Sequence, residues 1–283
     1  MVVKNIIIFV NSTKQGAQEL ADDMRKFFSS KKISTTFIML SSTVDDSQVH
    51  VFKADLAISL GGDGTVLTCA SALAELEVPI MAVNLGTFGY ITNTSANEYK
   101  EVFNDFAEGK CLPSERMMLH CKVERNGKVV FEANALNDMT IGACSMSKLV
   151  HLSLTINGVR AAGFKSDGII FATPMGSTAY SLAAGGSILD ATMNAIIVNP
   201  ICPFAMSVRP LVVHDKSVLR VDIPAQRTPI AISADGHGLF ELEEGDVVTV
   251  QKSACSALFL VNDRRNSIEV LRDKLGWAGG FNA

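Results

Sequence analysis

The sequence predicts an α/β N-terminal domain with a parallel sheet, followed by a β-rich, β-sandwich-like C-terminal domain. Three observations carry this. Apolar β-branched runs alternate with helical patterns as far as residue 115. Beyond Arg116 short strands and Asn-Gly turns take over. The chain's 283 residues, 48% hydrophobic and 19% charged, suffice for two packed cores. The rhythm therefore divides residues 1–115 from residues 116–257.

Taken in order, Asn5 to Val10 is a continuous β-branched run, as expected of a strand buried on both faces. Asn11 and Ser12 offer helix-capping side chains, and Ala17, Leu20, Ala21, Met24, Phe27 and Phe28 follow on one helical face. Thr35 to Leu40, Asp55 to Leu60 and Pro79 to Leu85 read as further strands, with a helical stretch from Val66 to Leu76 between the last two. Such alternation implies a parallel sheet whose ligands sit beyond the carboxyl ends of its strands. Next, Leu119 to Arg125, Asn126-Gly127 and Lys128 to Glu132 form a hairpin signal. Strand-like runs recur at Leu149 to Ile156, closed by Asn157-Gly158, then at Gly168 to Thr173, Val218 to Ile223, Ile230 to Ser233 and Val247 to Gln251. Leu258 to Asn262 reads as a strand and Ser267 as the start of a helix.

Composition excludes several classes. A formal charge of −4 without a basic patch argues against nucleic-acid binding. The cysteines at 69, 111, 121, 144, 202 and 255 show no CxxC pair and no histidine at zinc spacing. They read as small buried hydrophobes in a reducing compartment. The N-terminus has no signal-peptide core, and no apolar run approaches the roughly 18 residues of a membrane span. The expectation is a soluble, cytoplasmic protein. Glu241, Glu243, Glu244 and Asp246 read as a solvated turn, and Met117, Met118 and Trp277 as packing residues.

The segment Leu60-Gly61-Gly62-Asp63-Gly64-Thr65 joins a buried strand to a helix. Glycines there admit positive φ and close approach of a ligand, and a helix N-terminus offers amides to phosphate. Asp63 among such amides calls for a task of its own: taking a proton from an attacking hydroxyl, holding a magnesium ion through water, or capping the helix. No GxxxxGK[ST], complete GxGxxG, HRD or DFG occurs, which disfavours Walker-type ATPases and protein kinases.

Gly61-Gly62-Asp63-Gly64-Thr65 resembles the motif shared by NAD kinases, diacylglycerol and sphingosine kinases and, more distantly, phosphofructokinases. Asn84-Leu85-Gly86-Thr87-Phe88-Gly89-Tyr90-Ile91, Ala135-Leu136-Asn137-Asp138, and Ser166-Asp167-Gly168 running into Thr173-Pro174-Met175-Gly176-Ser177-Thr178-Ala179-Tyr180-Ser181 and Ala184-Gly185-Gly186 narrow this. With Pro200-Ile201-Cys202-Pro203 and Ala234-Asp235-Gly236, they are similar to the NAD kinase family in its order across most of the chain.

The resemblance implies phosphorylation of the adenosine-ribose 2′-hydroxyl of NAD by ATP, another triphosphate or polyphosphate, with a divalent metal such as magnesium. It implies Asp63 as the catalytic base, with Gly61, Gly62, Gly64 and Thr65 at the nucleotide. Asn137 and Asp138 would orient ribose and adenine, Asp167 would lie near the nicotinamide, and Thr178, Ala179, Tyr180 and Ser181 would line the adenine, with Tyr180 offering a stacking face. Lys165 stands where arginine is frequent and keeps the charge without the bidentate fork. Met175 and Phe204 also depart from the family pattern. His237 would contribute to the dinucleotide site. No protein metal ligands are assigned. Residues 258–283 would return to complete the first domain, and a homodimer or homotetramer would assemble through the β-rich domain. Alternatives are a lipid diol kinase of the same superfamily and a non-catalytic NAD(P) sensor.

Overall fold

An uninterrupted run of Ile, Phe and Val is stable only where both faces of its strand are covered, and β1 (Asn5–Asn11) is buried from Ile6 to Val10. The computed structural model describes residues 2–41, 51–86, 89–92, 94–145, 148–261 and 267–275. The chain divides into two compact units, residues 1–115 with 257–283, and residues 116–256.

In the first unit β1, β2 (Ser34–Leu40), β3 (Leu56–Gly61) and β4 (Ile80–Asn84) form a parallel sheet in the order β2-β1-β3-β4. The two-residue strand β5 (Thr94–Ser95) and the segment at Phe259 both add to β4 in parallel. Helix α1 (Ala17–Ser30) carries the chain from β1 to one side, and α2 (Asp63–Leu73) carries it from β3 to the other. Right-handed crossovers then place them on opposite faces. A third helix, α3 (Tyr99–Ala107), packs with α1 over Ile6, Ile8 and Val10. The contact is aromatic: Phe27, Phe28, Tyr99 and Phe103 meet edge to face with centroids as close as 5.0 Å. The spacing of Tyr99, Val102, Phe103 and Phe106 marks α3 in the sequence as one apolar face, a signal absent from the reading above.

The second unit is a sandwich. One antiparallel sheet has β8 (Asp138–Ala143), β11 (Gly168–Ala172), β12 (Ala195–Ile201), β13 (Leu211–His214), β15 (Ile230–Ala234) and β16 (His237–Leu242) in the order β13-β12-β11-β8-β15-β16. The other runs β10 (Val159–Ser166), β9 (Val150–Ile156), β14 (Leu219–Asp222) and β17 (Val247–Leu260), with the β6 (Pro113–Arg125) and β7 (Lys128–Ala135) hairpin. Inward residues of both sheets, among them Leu119, Ile141, Leu152, Phe171, Val221 and Ile232, form a common core. Asn126-Gly127 and Asn157-Gly158 have positive φ at both residues, as two-residue hairpin loops require.

Several expectations are corrected. Val247 to Gln251 and Leu258 to Asn262 are not separate strands: one ladder runs from Val247 to Leu260, through the β-poor Lys252 to Ala257. Asn11 and Ser12 do not cap α1, which begins at Ala17 after a left-handed Gly16 with no side-chain cap. Instead the Asn11 carboxamide oxygen accepts from Thr13, and the Ser12 hydroxyl donates to the Leu40 carbonyl. Nor is the acidic turn fully solvated. Asp246 is buried and takes two bonds of the Arg125 fork at 2.9 and 2.8 Å, which hold its carboxyl below the usual range against the opposing effect of burial. Cys69 and Cys121 are buried as expected, whereas Cys144 and Cys202 are exposed; all six are free thiols. Thr87, Phe88 and Trp277 lie outside the described residues.

Phe28 is fully buried among these rings. Phe28→Ala should lower unfolding stability by about 3–5 kcal/mol. Urea denaturation followed by circular dichroism checks this, and a loss well under about 1 kcal/mol would contradict the packing described.

Candidate active site

In the first unit the connections leaving β1 and β3 depart to opposite sides, which opens a crevice beyond their carboxyl ends. Asn11 ends β1 and Gly61 ends β3, and the Asn11 side-chain amide donates to the hydroxyl of Thr65, in the first turn of α2, at 3.4 Å. A Cβ on Gly61 would stand 2.2 Å from the Thr65 hydroxyl, so glycine is required there for space. None of Gly61, Gly62 and Gly64 has positive φ, which corrects one of the two reasons expected for the glycines and leaves close approach of a ligand. Nothing lies within 4 Å of a Cβ on Gly62 or Gly64, and that openness bares the first amides of α2.

Asp63 turns its carboxylate onto the loop after β4. Oδ2 accepts the Tyr90 amide at 3.0 Å, and Oδ1 accepts the Ile91 and Thr92 amides at 3.3 and 3.2 Å and the Thr92 hydroxyl at 3.2 Å. Gly89 makes this possible, since a Cβ there would fall 1.8 Å from Oδ1. The arrangement leaves Oδ2 with one donor among the described residues and a lone pair to spare. Tyr90 carries a buried hydroxyl with no partner among the described residues.

The second unit repeats the device. Asp235 and Gly236, both at positive φ, turn the chain from β15 into β16. The Asp235 carboxylate accepts three successive amides, Leu136 at 2.7 Å, Asn137 at 2.7 Å and Asp138 at 3.0 Å. From the far side, the Thr173 hydroxyl donates to the Leu136 carbonyl and the Thr173 amide to the Asn137 carbonyl. Gly176 then lies so close that a Cβ would sit 2.1 Å from the Asn137 carbonyl oxygen. Asn137 and Asp138 are both buried, and the Asn137 side-chain oxygen has no partner among the described residues. A buried acceptor left open marks a place for a ligand donor. Burial, then the Asp235 charge, push the Asp138 carboxyl up to about 6 against a bond from Thr140. Burial also raises Asp235, opposed by its three amides and by His237. Asp235 is the site residue that sequence reasoning left without a role; its signal was the Asp-Gly turn.

The remaining expected residues divide. Tyr180 opens the short helix α4 (Tyr180–Ala183) half exposed, beside partly exposed Thr178 and Ala179. Ser181 is turned inward, bonded through its carbonyl and hydroxyl to the Asn199 carboxamide, with Gly186 pressed against it. His237 is exposed at the start of β16. Lys165 and Asp167 are exposed but sit at the other end of β11, because Gly168 pairs with Gly142 while Ala172 pairs with Asp138. Six residues of extended chain put Asp167 roughly 20 Å from Thr173, so one unit does not gather them with Asn137. Among the described residues no three His, Cys, Asp or Glu converge to hold a metal. A cleft of about 560 Å³ beside the end of β4 is lined by Glu19 and Asp23, and lacks every residue expected at the site.

Comparison with known proteins adds to this geometry. The model of the ATP-NAD kinase N-terminal domain matches residues 1–111, and that of the ATP-NAD kinase C-terminal domain matches residues 136–261. The chain is similar to an NAD kinase of Treponema denticola, 35% identical over 278 residues and 98% of each chain. An NAD kinase of Nitrosomonas europaea is 39% identical over 227 residues, 80% of this chain and 76% of the relative. The crystal structure of yeast NADH kinase complexed with NADH superposes with a TM-score of 0.89 at 25% identity, covering 99% of this chain and 89% of that one.

Two outcomes follow from the site's packing and charge. Because folding raises the Asp138 pKa, the folded state holds that proton more tightly, and stability falls as pH rises from about 4 through about 6. Asp138→Asn should leave stability unchanged near pH 4 and raise it at pH 7 by on the order of 1–3 kcal/mol; a difference independent of pH in denaturant titrations would contradict this. Gly61→Ala should cost about 1–3 kcal/mol by overpacking against Thr65, read as a fall in melting temperature, and an unchanged melting temperature would show that the turn has room.

Proposed function

Since the chain belongs to the NAD kinase family, we propose that it transfers the terminal phosphoryl group of ATP to the adenosine-ribose 2′-hydroxyl of NAD, with Asp63 taking the hydroxyl proton. The observation that supports this role best is the fixed orientation of Asp63: three amides and a hydroxyl hold its carboxylate while Oδ2 keeps a lone pair. A carboxylate is a weak base, so its use comes late, when the attacking oxygen has begun to bond to phosphorus. The same donors offset its repulsion of phosphate.

Phosphoryl transfer asks chiefly for positioning and charge neutralisation. The open first turn of α2, cleared of side chains at Gly62 and Gly64, supplies amides to phosphate. Asn137 and Asp138 hold the acceptor ribose: the open Asn137 oxygen accepts a hydroxyl, and Asp138, when ionised, accepts another. Tyr180 offers a ring to the adenine. Family resemblance alone assigns Lys165, Asp167 and His237 to the dinucleotide, and within the second unit Lys165 and Asp167 stand at the end of β11 away from Asn137. A divalent ion such as magnesium offsets the charge of the triphosphate. The six free thiols fit a cytoplasmic enzyme, and family resemblance supports a homodimer or homotetramer.

Asp63→Asn should keep NAD binding and lower turnover by about 10²–10⁴-fold. NADP formation coupled to an NADP-specific dehydrogenase reads the rate, and calorimetry reads binding. Turnover near that of the parent would remove Asp63 from the chemistry.

A further inference from the structure

We propose that Thr173 and Asp235 are positioning residues that together set the backbone of Asn137 and Asp138, and through it the angle at which the acceptor ribose is held. The proposal rests on the reading of Asn137–Asp138 as the acceptor-holding pair. All six backbone polar groups of Leu136, Asn137 and Asp138 end on these two residues. The three amides bond to the Asp235 carboxylate. The Leu136 carbonyl takes the Thr173 hydroxyl at 2.6 Å, the Asn137 carbonyl takes the Thr173 amide at 2.9 Å, and the Asp138 carbonyl takes the Asp235 amide at 2.8 Å.

The two peptide planes within the segment are each tied to the fold at both C=O and N–H. Thr173 and Asp235 come from separate turns, one after β11 and one between β15 and β16, so they fix the segment from two directions. Thr173 is wholly buried, and its hydroxyl oxygen also accepts the Gly176 amide at 3.0 Å, which presses Gly176 against Asn137. Against this fully bonded backbone, the Asn137 side-chain oxygen is a buried acceptor with no partner among the described residues. The segment is thus held by the fold along its backbone and left unpaired at the Asn137 side-chain oxygen, as preorganised binding of an oriented hydroxyl demands.

The test is a kinetic cycle on the full chain with ATP saturating and NAD varied. Thr173→Val keeps the shape and removes the hydroxyl, and should lower kcat/KM for NAD by roughly 10-fold or more. Thr173→Ser restores the hydroxyl and should come within about 3-fold of the parent. In an Asn137→Ala background, Thr173→Val should add less than about 2-fold, because its effect passes through Asn137; a merely structural role would multiply with the Asn137 defect. Should Thr173→Val fail to fold, Gly176→Ala takes its place, since its Cβ displaces the Asn137 carbonyl without deleting a polar group. Multiplicative effects, or a Thr173→Val enzyme within about 3-fold of the parent, would overturn the proposal. If Asn137→Ala itself leaves kcat/KM for NAD intact, the reading of the acceptor pair falls and this inference falls with it; a defective Asn137→Ala beside an unaffected Thr173→Val sinks the inference alone.

Discussion

A carboxylate laid across three successive backbone amides is the interaction on which both units build their candidate sites. Asp63 does this with residues 90–92 and Asp235 with residues 136–138. A row of N–H groups is a concentrated positive field, and an anion there is bound by several charge-assisted hydrogen bonds at once. The benefit is mutual: the loop gains one geometry, and the carboxylate gains a fixed direction. Each clamp needs a glycine beside it, Gly89 to admit the Asp63 side chain and Gly236 to complete the Asp235 turn.

Fixing a charge in this way has an energetic consequence in the second unit. Asp138 and Asp235 approach one another within a buried setting, and both carboxyls titrate above the ordinary aspartate value. The fold therefore holds a site that is less stable ionised than it would be neutral, and hydroxyl donors from a ribose would relieve that strain. Destabilisation concentrated where ligand binds is the pattern expected when function competes with stability.

The sheet and its helices were readable because local pattern suffices for them. The β1 run, the α1 face and the Asn126-Gly127 and Asn157-Gly158 turns each depend on residues a few positions apart. Strands β8 and β16 were harder, since Asp138, Gly142, His237 and Gly238 are poor strand formers that neighbours in the ladder hold in place. At the site, the sequence pointed to Asp63, Asn137 and Asp138, yet it gave no sign that Ser181 turns inward or that Asp167 stands at the far end of β11.

By itself, then, the sequence determined the class of fold, the glycine-rich turn ahead of α2 and the family that the chain resembles, because apolar period, turn chemistry and motif order are properties of neighbours along the chain. Only the tertiary structure decided which amides each carboxylate meets. Those bonds join residues 27 to 29 positions apart at Asp63 and 97 to 99 apart at Asp235. Contacts at such separations are set by sheet order and hairpin geometry, for which no local stretch of residues holds the information.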